Sequence, residues 1–360
     1  MAGTMMIKKA SRLVRLFCAG FVYTLFALTC RAEPQLYTWK EPHMGTEFTI
    51  RVWAEEGRVG DLTLLTRKAF ARVAELNRAL SDYLPESALN EFAKAPAGQA
   101  IPVSEDLFTL FVKSGELTEK TGGAFDITAG PIIRLWRMGR KNGALPSADQ
   151  IASAKARTGF QHLELNATKR TILKKIDGML FDLGGIAKGY AADAALAILK
   201  EGGFTRSLVA ASGDIVVGDA PPGEKGWRIG IETLDIGHAA KDLETVTLVN
   251  QAISTSGDTR RYLEIDGVRY SHIVSTKTGL GLTDRIGASV IGPDATTTDS
   301  YATAVVLLGT KEGLQFIENQ RGIECQIVTL RDDREVFTRS DGFLKPQGPN
   351  HQKESPVPAP

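Results

Sequence analysis

The sequence predicts an α+β fold, built mainly from antiparallel sheets that are flanked by helices. Short segments of alternating or β-branched residues, joined by short turns, occupy most of the chain from about residue 161 to residue 300. Three segments with apolar residues at helical spacing precede them. No sharp linker interrupts residues 35–343, so we expect one folded unit there.

The first half of the chain is expected to hold one strand and three helices. The strand is "TEFTIRVWA", residues 46–54, in which polar and apolar residues alternate. The helices are expected at 61–80, with Asp61 as N-cap, at 104–123, and at 148–160. In the second half we expect strands, interrupted by one helix that begins near residue 187 and another that begins near residue 298.

Composition and charge exclude some classes of function. Hydrophobic residues make up 43% of the 360 residues, which is typical of a globular protein with an ample core. The formal net charge is only +1, from 43 basic and 42 acidic residues. Nucleic-acid binding requires a basic surface, so we expect no nucleic-acid partner.

Residues 1–32 have the pattern of a signal peptide. Four basic residues precede an apolar run from Leu16 to Cys30, and a small-x-small site ends at Ala32. This run is short for a membrane-spanning helix, which makes an uncleaved anchor the less favoured alternative. Cys30 could carry a lipid, although "ALTC" is a weak version of that signal. We therefore expect an exported protein, in the periplasm or at the periplasmic face of the inner membrane.

The remaining chain is expected to form a folded domain over residues 33–343. Residues 344–360 are a polar, proline-rich tail that cannot bury a core, and we expect them to be disordered. Cys325 is the only cysteine left after removal of the leader. The mature chain can therefore form no internal disulfide and no cysteine metal cluster.

The stretch "FDLGGIAKGYAADAA", residues 181–195, contains a lysine where a helix is expected to begin. Phe181 and Leu183 are expected to end a buried strand, and the two glycines that follow allow a tight turn. A cation in the first helical turn is unfavourable, because the N-terminus of a helix carries partial positive charge. An anion such as a phosphate in front of Lys188 would explain its position. Alternatively, Lys188 simply points to water.

The stretch "TTTDSYATAVVLLG", residues 296–309, contains candidate metal ligands. Asp299 and Thr303 are four residues apart and would share one face of the helix. Carboxylate and hydroxyl oxygens suit Mg²⁺, which takes few protein ligands and keeps phosphate oxygens among the rest. The alternative is that Asp299 is only an N-cap.

Four further stretches could be plain turns or parts of a site. "YSHIVSTKTG" places His272 after a strand, and a lone histidine is more often structural than catalytic. "STSGD", residues 254–258, is expected to be a turn whose backbone N–H groups could bind an anion. "TGGAFDITAGP" places Phe125 at a helix exit, and "SDYLPESALNEF" contains Tyr83, which could stack on an aromatic ligand.

Taken together and in this order, these motifs resemble the ApbE family of flavin transferases, the FAD:protein FMN transferases. They span roughly residues 37–335. The matching motifs are "MGTEF", "SDYLPESALNEF", "TGGAFDITAGP", "FDLGGIAKGYAAD", "ASGDIVVG", "AISTSGD", "YSHIVSTKTG" and "TTTDSYATAVVLLG". The chain departs from the family pattern in two places. Ser212 stands where the family often has a glycine, and Ser275-Thr276 stand where it often has Asp-Pro.

The resemblance implies an ApbE-like fold of two lobes with a FAD site between them. The residues that it places at FAD are Met44, Tyr83, Ala124, Phe125, Asp126, Asp182, Lys188 and Ile273. The Mg²⁺ ligands that it implies are the side chains of Asp299 and Thr303 and the main-chain oxygens of Gly185 and Ala302.

The reaction implied by the resemblance is phosphoryl transfer. A Thr or Ser hydroxyl of an acceptor protein attacks the FMN-side phosphorus of FAD, and AMP leaves. Lys188 would stabilise charge on the phosphates, and His272 or Asp258 would accept the proton. The family suggests a membrane redox subunit as the acceptor protein. The alternatives are a FAD pyrophosphatase that forms FMN and AMP, and a non-catalytic FAD-binding protein in the periplasm.

Overall fold

The computed structural model describes residues 33–234, 243–257, 262–332 and 334–343. From Pro34 onward the described residues belong to one compact unit. The expected signal peptide, the proline-rich tail and Asp258 lie outside the described residues. No helix in the described ranges is long and apolar enough to cross a membrane.

The fold is centred on an eight-stranded antiparallel sheet with the order β1-β2-β6-β7-β10-β13-β14-β15. Its strands are β1 (Gln35–His43), β2 (Thr46–Ala54), β6 (Ser207–Ala211), β7 (Asp214–Val217), β10 (Ala252–Gly257), β13 (Ile286–Gly292), β14 (Glu324–Arg331) and β15 (Arg334–Arg339). Three smaller antiparallel sheets have the orders β3-β5-β4, β8-β9 and β11-β12. Their strands are β3 (Ala100–Pro102), β4 (Leu163–Asn166), β5 (Thr171–Lys174), β8 (Trp227–Gly230), β9 (Thr245–Leu248), β11 (Tyr262–Ile265) and β12 (Val268–Ser271).

Seven α-helices are seen in the described residues. They are α1 (Val59–Leu80), α2 (Ala88–Lys94), α3 (Glu105–Lys120), α4 (Gly130–Asn142), α5 (Ala148–Lys155), α6 (Ala187–Glu201) and α7 (Ala295–Glu318). Helix α7 is broken at Gly309, where φ is 82°. Helix α6 packs between α1 and α7 and against β6 and β7.

Both faces of the large sheet are buried. Because successive side chains of a strand point to opposite faces, Val209 and Ala211 of β6 face the core that α1, α6 and α7 cover. Leu208 and Ala210 face a second core, which contains Ile229 and residues of β8 and β9. The α+β class and the antiparallel sheets predicted from the sequence are therefore confirmed.

Several local expectations need correction. Asp61 is not an N-cap, because α1 begins at Val59 and Arg58 precedes it. The segment with Phe181 and Leu183 is buried but belongs to no strand. Its backbone N–H at Asp182 donates to Ile127 O of a 3-10 turn at 2.8 Å.

The expected turn at 254–258 is also wrong in its described part. Residues Ser254 to Gly257 continue β10 and pair with β13, and Ser254 also pairs with β7. Their N–H groups therefore face neighbouring strands and do not form the anion-binding turn that the small residues suggested.

Two helices, α2 and α4, were not predicted from the sequence. Helix α4 carries Pro131 near its start and ends at Gly143, which has a left-handed φ of 66°. Both are ordinary signals for a helix start and end, and they were present in the sequence.

Candidate functional site

The turn before α6 is fixed by short local hydrogen bonds. Gly184 N donates to the Asp182 carboxylate at 2.7 Å. The N–H groups of Ile186 and Ala187 donate to Leu183 O at 3.0 Å and 2.9 Å. Helix α6 therefore starts directly from this turn, as predicted, and Lys188 lies in its first turn.

Lys188 is held by two carboxylates and does not simply point to water. Its Nζ lies 2.9 Å from Asp214 Oδ2 and 3.1 Å from Asp299 Oδ1, and it also donates to Gly184 O at 3.2 Å. The two carboxylates are each 4% exposed, and the lysine side chain is 26% exposed. We call Lys188, Asp214 and Asp299 the Lys188 cluster. The anion that a cation in this position requires is therefore supplied, in part, by the chain itself.

Burial and mutual charge shift the pKa values in the Lys188 cluster. Burial, followed by the negative charge of Asp214, raises the pKa of Asp299 to about 7, while Lys188 and the N–H of Gly189 oppose the shift. Burial alone would lower the pKa of Lys188, but the two carboxylates outweigh it and raise this pKa above its ordinary value. Lys188 therefore stays positively charged at neutral pH, where Asp299 is close to its titration point.

Asp299 and Thr303 both lie on α7, at the spacing that the sequence predicted. Thr303 follows Asp299 by one turn of α7, and its Oγ1 lies 3.5 Å from Ser256 Oγ of β10. A Cβ at Gly185 would lie only 3.0 Å from Thr303 Oγ1 and 3.3 Å from the Phe125 ring. The main chain at Gly185 therefore lies against both side chains, which favours glycine at this position.

Asp299 is not the N-cap of α7. That position is taken by Asp294, whose carboxylate accepts a hydrogen bond from Thr297 N at 2.8 Å. The start of α7 is also tied to α6, because the Asp193 carboxylate accepts from the N–H groups of Ala295 and Thr296, each at 2.8 Å. These contacts set the position of α7 relative to α6, and hence of Asp299 relative to Lys188.

A second cluster adjoins the turn through Asp182. Arg137 of α4 donates to Asp182 Oδ2 at 2.6 Å and also pairs with the Asp82 carboxylate. Its guanidinium carbon lies 4.4 Å from the centre of the Tyr83 ring, and Tyr83 is 71% exposed. We call Arg137, Asp82, Asp182 and Tyr83 the Arg137 cluster. It presents an aromatic ring to solvent beside the turn that leads to Lys188.

Electrostatic effects also shift the pKa values in the Arg137 cluster. Burial, followed by the charge of Asp182, raises the pKa of Asp82, and Arg137 opposes this shift. Burial would lower the pKa of Arg137, but its two carboxylates raise it. The guanidinium is therefore charged at every pH at which the protein is folded.

The segment after α3 lies on the other side of this turn. Ala124 and Phe125 are buried, and the Asp126 carboxylate accepts from Thr128 N at 2.8 Å. Burial raises the pKa of Asp126. An open groove of about 580 Å³ lies beside Asp126 and Gly123. The turn after β12 contacts this segment, because Thr276 Oγ1 donates to Gly123 O at 2.9 Å.

The other predicted residues lie in separate turns. His272 directly follows β12, as the sequence suggested, and Ile273 N donates to Ser271 Oγ at 3.0 Å. Met44 lies in the two-residue turn between β1 and β2, with a φ of 50°, and Gly45 follows it. The hydrogen bonds and close contacts given above join the residues of the two clusters with Phe125, Gly185 and Thr303.

Three residues that build the site were not predicted from the sequence. Asp214 begins β7 and had no role assigned to it, although a carboxylate at the start of the apolar run "DIVV" is a usable signal. Arg137 was missed because α4 was missed. Asp193 lies on the face of α6 that meets α7, and nothing in the local sequence indicated its partner.

Comparisons with known proteins identify the family of this chain. The sequence model of the ApbE family matches residues 44–327. A FAD:protein FMN transferase from Klebsiella pneumoniae is 35% identical over 262 residues, which is 71% of this chain and 74% of that protein. One from Vibrio cholerae is 30% identical over 302 residues, covering 83% of this chain and 89% of that protein.

Solved structures give the same result. The flavin transferase ApbE from Vibrio cholerae is 28% identical, with a TM-score of 0.78, and the match covers 86% of this chain and 98% of that one. The apo flavinyl transferase ApbE from Pseudomonas stutzeri is 29% identical, with a TM-score of 0.76 and coverage of 86% and 96%. The family match over most of the chain, together with these relatives, shows that this chain belongs to the ApbE family.

Proposed function

We propose that this chain transfers FMN from FAD to a Thr or Ser hydroxyl of an acceptor protein and releases AMP, in a reaction that requires Mg²⁺. The names of the relatives support a flavin transfer from FAD to protein. The observation that carries the proposal is the Lys188 cluster at the N-terminus of α6, with Thr303 packed against Gly185. It combines a cation, carboxylates and a hydroxyl at a helix end that favours phosphate.

The donor set fits a magnesium ion. Asp299 offers a carboxylate, Thr303 a hydroxyl, and Gly185 and Ala302 main-chain oxygens, all of them hard oxygen donors. In the described part of the chain, no group of three or more His, Cys, Asp or Glu is placed to hold a metal. A magnesium site would therefore depend on this mixed set. When bound, the ion would neutralise negative charge on the pyrophosphate.

The bond changes in this proposal are those of a phosphoryl transfer. The acceptor oxygen forms a bond to the FMN-side phosphorus, the bridging P–O bond breaks, and AMP carries away the electron pair. Lys188, which stays charged at neutral pH, supplies positive charge for the phosphate oxygens. We assign the proton of the acceptor hydroxyl to His272 or to Asp258.

The flavin contacts in this proposal rest on the family resemblance and, for Tyr83, also on its exposure. Tyr83 is open to solvent and backed by Arg137, so it offers a face on which a flavin ring could stack. Met44 would lie near the same ring. Ala124, Phe125, Asp126 and Ile273 would line the nucleotide, together with Asp182.

The partner and compartment in this proposal rest on the sequence. The signal-peptide pattern of residues 1–32 supports export to the periplasm or to the periplasmic face of the inner membrane. An acceptor that is a membrane redox subunit would meet the enzyme there.

The test is to mix the chain with FAD, Mg²⁺ and a soluble acceptor domain that contains a Ser/Thr flavinylation motif. We expect AMP release together with an FMN-sized mass gain on the acceptor, and loss of both on addition of EDTA. Release of AMP and free FMN without need of an acceptor would instead establish a FAD pyrophosphatase. FAD that stays intact in every mixture would indicate a FAD-binding protein and would overturn the proposal.

A further inference from the structure

A groove of about 440 Å³ lies between α4 and α5, beside the candidate site. Arg134 and Met138 line it from α4, Gln150 lines it from α5, and Arg157 lies just past the end of α5. Leu180 lines it from the segment that leads to the candidate site. The groove is within the size range of ligand sites and combines charged walls with an apolar surface, since Met138 is 50% exposed.

The surface around this groove is basic in a nearly neutral protein. Residues 130–157 contain six basic residues and one acidic residue, whereas the whole chain has a net charge of only +1. Part of this surplus has a local cause. Arg140 and Lys141 lie in the last turn of α4, and Lys155 lies in the last turn of α5, where the helix dipole favours cations.

Arg134 has no such cause, whereas Arg157 lies just past the C-terminus of α5. Both are exposed, and neither forms an ion pair with a carboxylate in the part of the chain that the structure describes. Arg157 Nε donates to Ser153 O in the last turn of α5 at 3.1 Å, so its two terminal nitrogens are the donors that remain for a ligand in the groove. The one carboxylate of this surface, Asp149, lies in the first turn of α5, where the helix dipole accounts for it.

Elements that line the groove adjoin the candidate site at two places. Arg134 precedes Arg137 by three residues, about 4.5 Å along the axis of α4. On the other side, α5 packs against the turn that follows His272. A Cβ at Gly279 would lie 2.5 Å from Ile151, and Lys155 donates to the Lys277 carbonyl. A chain lying in the groove would therefore be a few residues from the site.

We propose that this groove binds an acidic segment of the acceptor protein, with Asp or Glu side chains near the hydroxyl that receives FMN. This inference rests on the proposed function, because only a transferase needs an acceptor chain beside its site. Arg134 and Arg157 would pair with the carboxylates, and the guanidinium geometry suits this pairing. Met138 and Leu180 would contact an apolar side chain of the same segment.

A concave site favours a polypeptide over an anionic lipid surface. Residues that bind a membrane surface must protrude to reach a plane of headgroups. Arg134 and Arg157 instead line a groove between two helices. Binding to lipid is therefore treated as an outcome that would contradict the proposal.

The test uses two fluorescein-labelled peptides of equal length, each with one central Thr. One has four Asp residues before the Thr, and the other has four Asn residues there. We expect the acidic peptide to bind the chain with a Kd about tenfold lower in 50 mM NaCl, a difference of about 1.4 kcal/mol. This preference should shrink in 300 mM NaCl, because salt screens exposed charges.

Variants of the two groove arginines test whether the preference for the acidic peptide arises in the groove. Arg134→Glu/Arg157→Glu should abolish the preference, and Arg134→Gln/Arg157→Gln should reduce it by at least half. The matched control is Arg67→Glu/Lys311→Glu, which makes the same charge change at two exposed positions on α1 and α7. The control should keep the preference. Equal Kd values for the two peptides, or a preference that survives in both groove variants, would overturn the proposal.

Two further measurements distinguish failure of the groove proposal from failure of the proposed function. FAD binding, followed by flavin fluorescence, should be the same in all variants, because neither groove arginine belongs to the clusters of the candidate site. If the chain binds no FAD at all, the proposed function fails, whatever the peptides do. Vesicles of phosphatidylcholine with 30% phosphatidylglycerol test the lipid alternative. Vesicle binding that the groove variants lose, combined with equal peptide Kd values, would show a lipid surface as the partner and contradict the proposal.

Discussion

The Lys188 cluster and the Arg137 cluster share one arrangement, a single cation between two carboxylates, but differ in burial. In the Lys188 cluster each carboxylate side chain is 4% exposed. In the Arg137 cluster the carboxylates are 15% and 11% exposed, and the arginine is 34% exposed. The first cluster joins two helices to a strand of the large sheet, and the second joins two turns to α4.

Because of this difference in burial, we expect the two clusters to contribute differently to stability and to catalysis. A buried ion pair gains little over apolar packing, yet removing one member leaves an uncompensated buried charge. A partly exposed pair contributes little to stability in either direction. We therefore expect the Lys188 cluster to control both stability and chemistry, and the Arg137 cluster to control mainly the position of the Tyr83 ring.

The largest effect is expected on turnover when Asp299 loses its charge. Asp299→Asn should lower AMP release from FAD more than about a hundredfold at saturating Mg²⁺, because loss of a charged metal ligand removes several kcal/mol of stabilisation from the transition state. The matched control is Asp294→Asn, since Asn is also a good N-cap and Asp294 lies outside both clusters. Near-normal turnover in Asp299→Asn would remove Asp299 from the proposed metal site.

The next largest effect is expected on stability when Lys188 is made neutral. Lys188→Met should lower the free energy of unfolding by about 3–5 kcal/mol, because two buried carboxylates lose their cation. Urea unfolding at pH 8 measures this loss, and Lys188→Arg, which keeps the charge, should lose much less. A Lys188→Met variant as stable as the wild type would show that water already compensates these carboxylates.

The raised pKa of Asp299 predicts a particular dependence of stability on pH. Its folded pKa is about 7, above the ordinary 3.8, so the folded state keeps a proton that the unfolded chain releases. The stability of the wild type relative to Asp299→Asn should therefore fall as pH rises from 5 to 7, by at most about 1.4 kcal/mol per pH unit, and level off above 7. Urea unfolding of both proteins at four pH values tests this. A difference that rises with pH would contradict the direction of the shift.

Features of the site that depend on local sequence could be predicted. The spacing of Asp299 and Thr303 placed them on one helix face, and the position of Lys188 favoured a nearby anion, with solvent as the alternative. The partner of Lys188 could not be predicted in the same way. Asp214 lies on a strand 26 residues further along the chain, and only the packing of α6 against β7 brings the two together.

The Arg137 cluster shows the same limit more strongly. Arg137 meets Asp182 and Asp82 across sequence separations of 45 and 55 residues. Pro131 and Gly143 could have identified α4. Even with that helix, however, the period of its apolar residues would have shown only that Arg137 is near the edge of the buried face. Which carboxylates it pairs with depends on two turns whose conformation is set by the rest of the fold.

Replacement of Arg137 should have the smallest effect on stability and a selective effect on FAD. Arg137→Gln should cost less than about 1 kcal/mol of stability, because the pairs that it breaks are partly solvated. The KM for FAD should rise about three- to tenfold through loss of the cation–π contact that holds Tyr83, with kcat changed less than about twofold. Arg137→Lys keeps the charge but not the planar fork, so its KM should be intermediate.

The comparison of the two clusters depends on how the effect of Arg137→Gln divides between KM and kcat. If the role of Arg137 were only structural, its replacement would lower stability. The KM for FAD would then stay unchanged at a temperature where the variant is folded. If Arg137 touched the reacting phosphates, its replacement would lower kcat. A rise in KM alone, reversed in part by Arg137→Lys, identifies a positioning residue that acts through Tyr83 and Asp182. A fall in kcat comparable to that expected for Asp299→Asn would instead make the two clusters one catalytic unit.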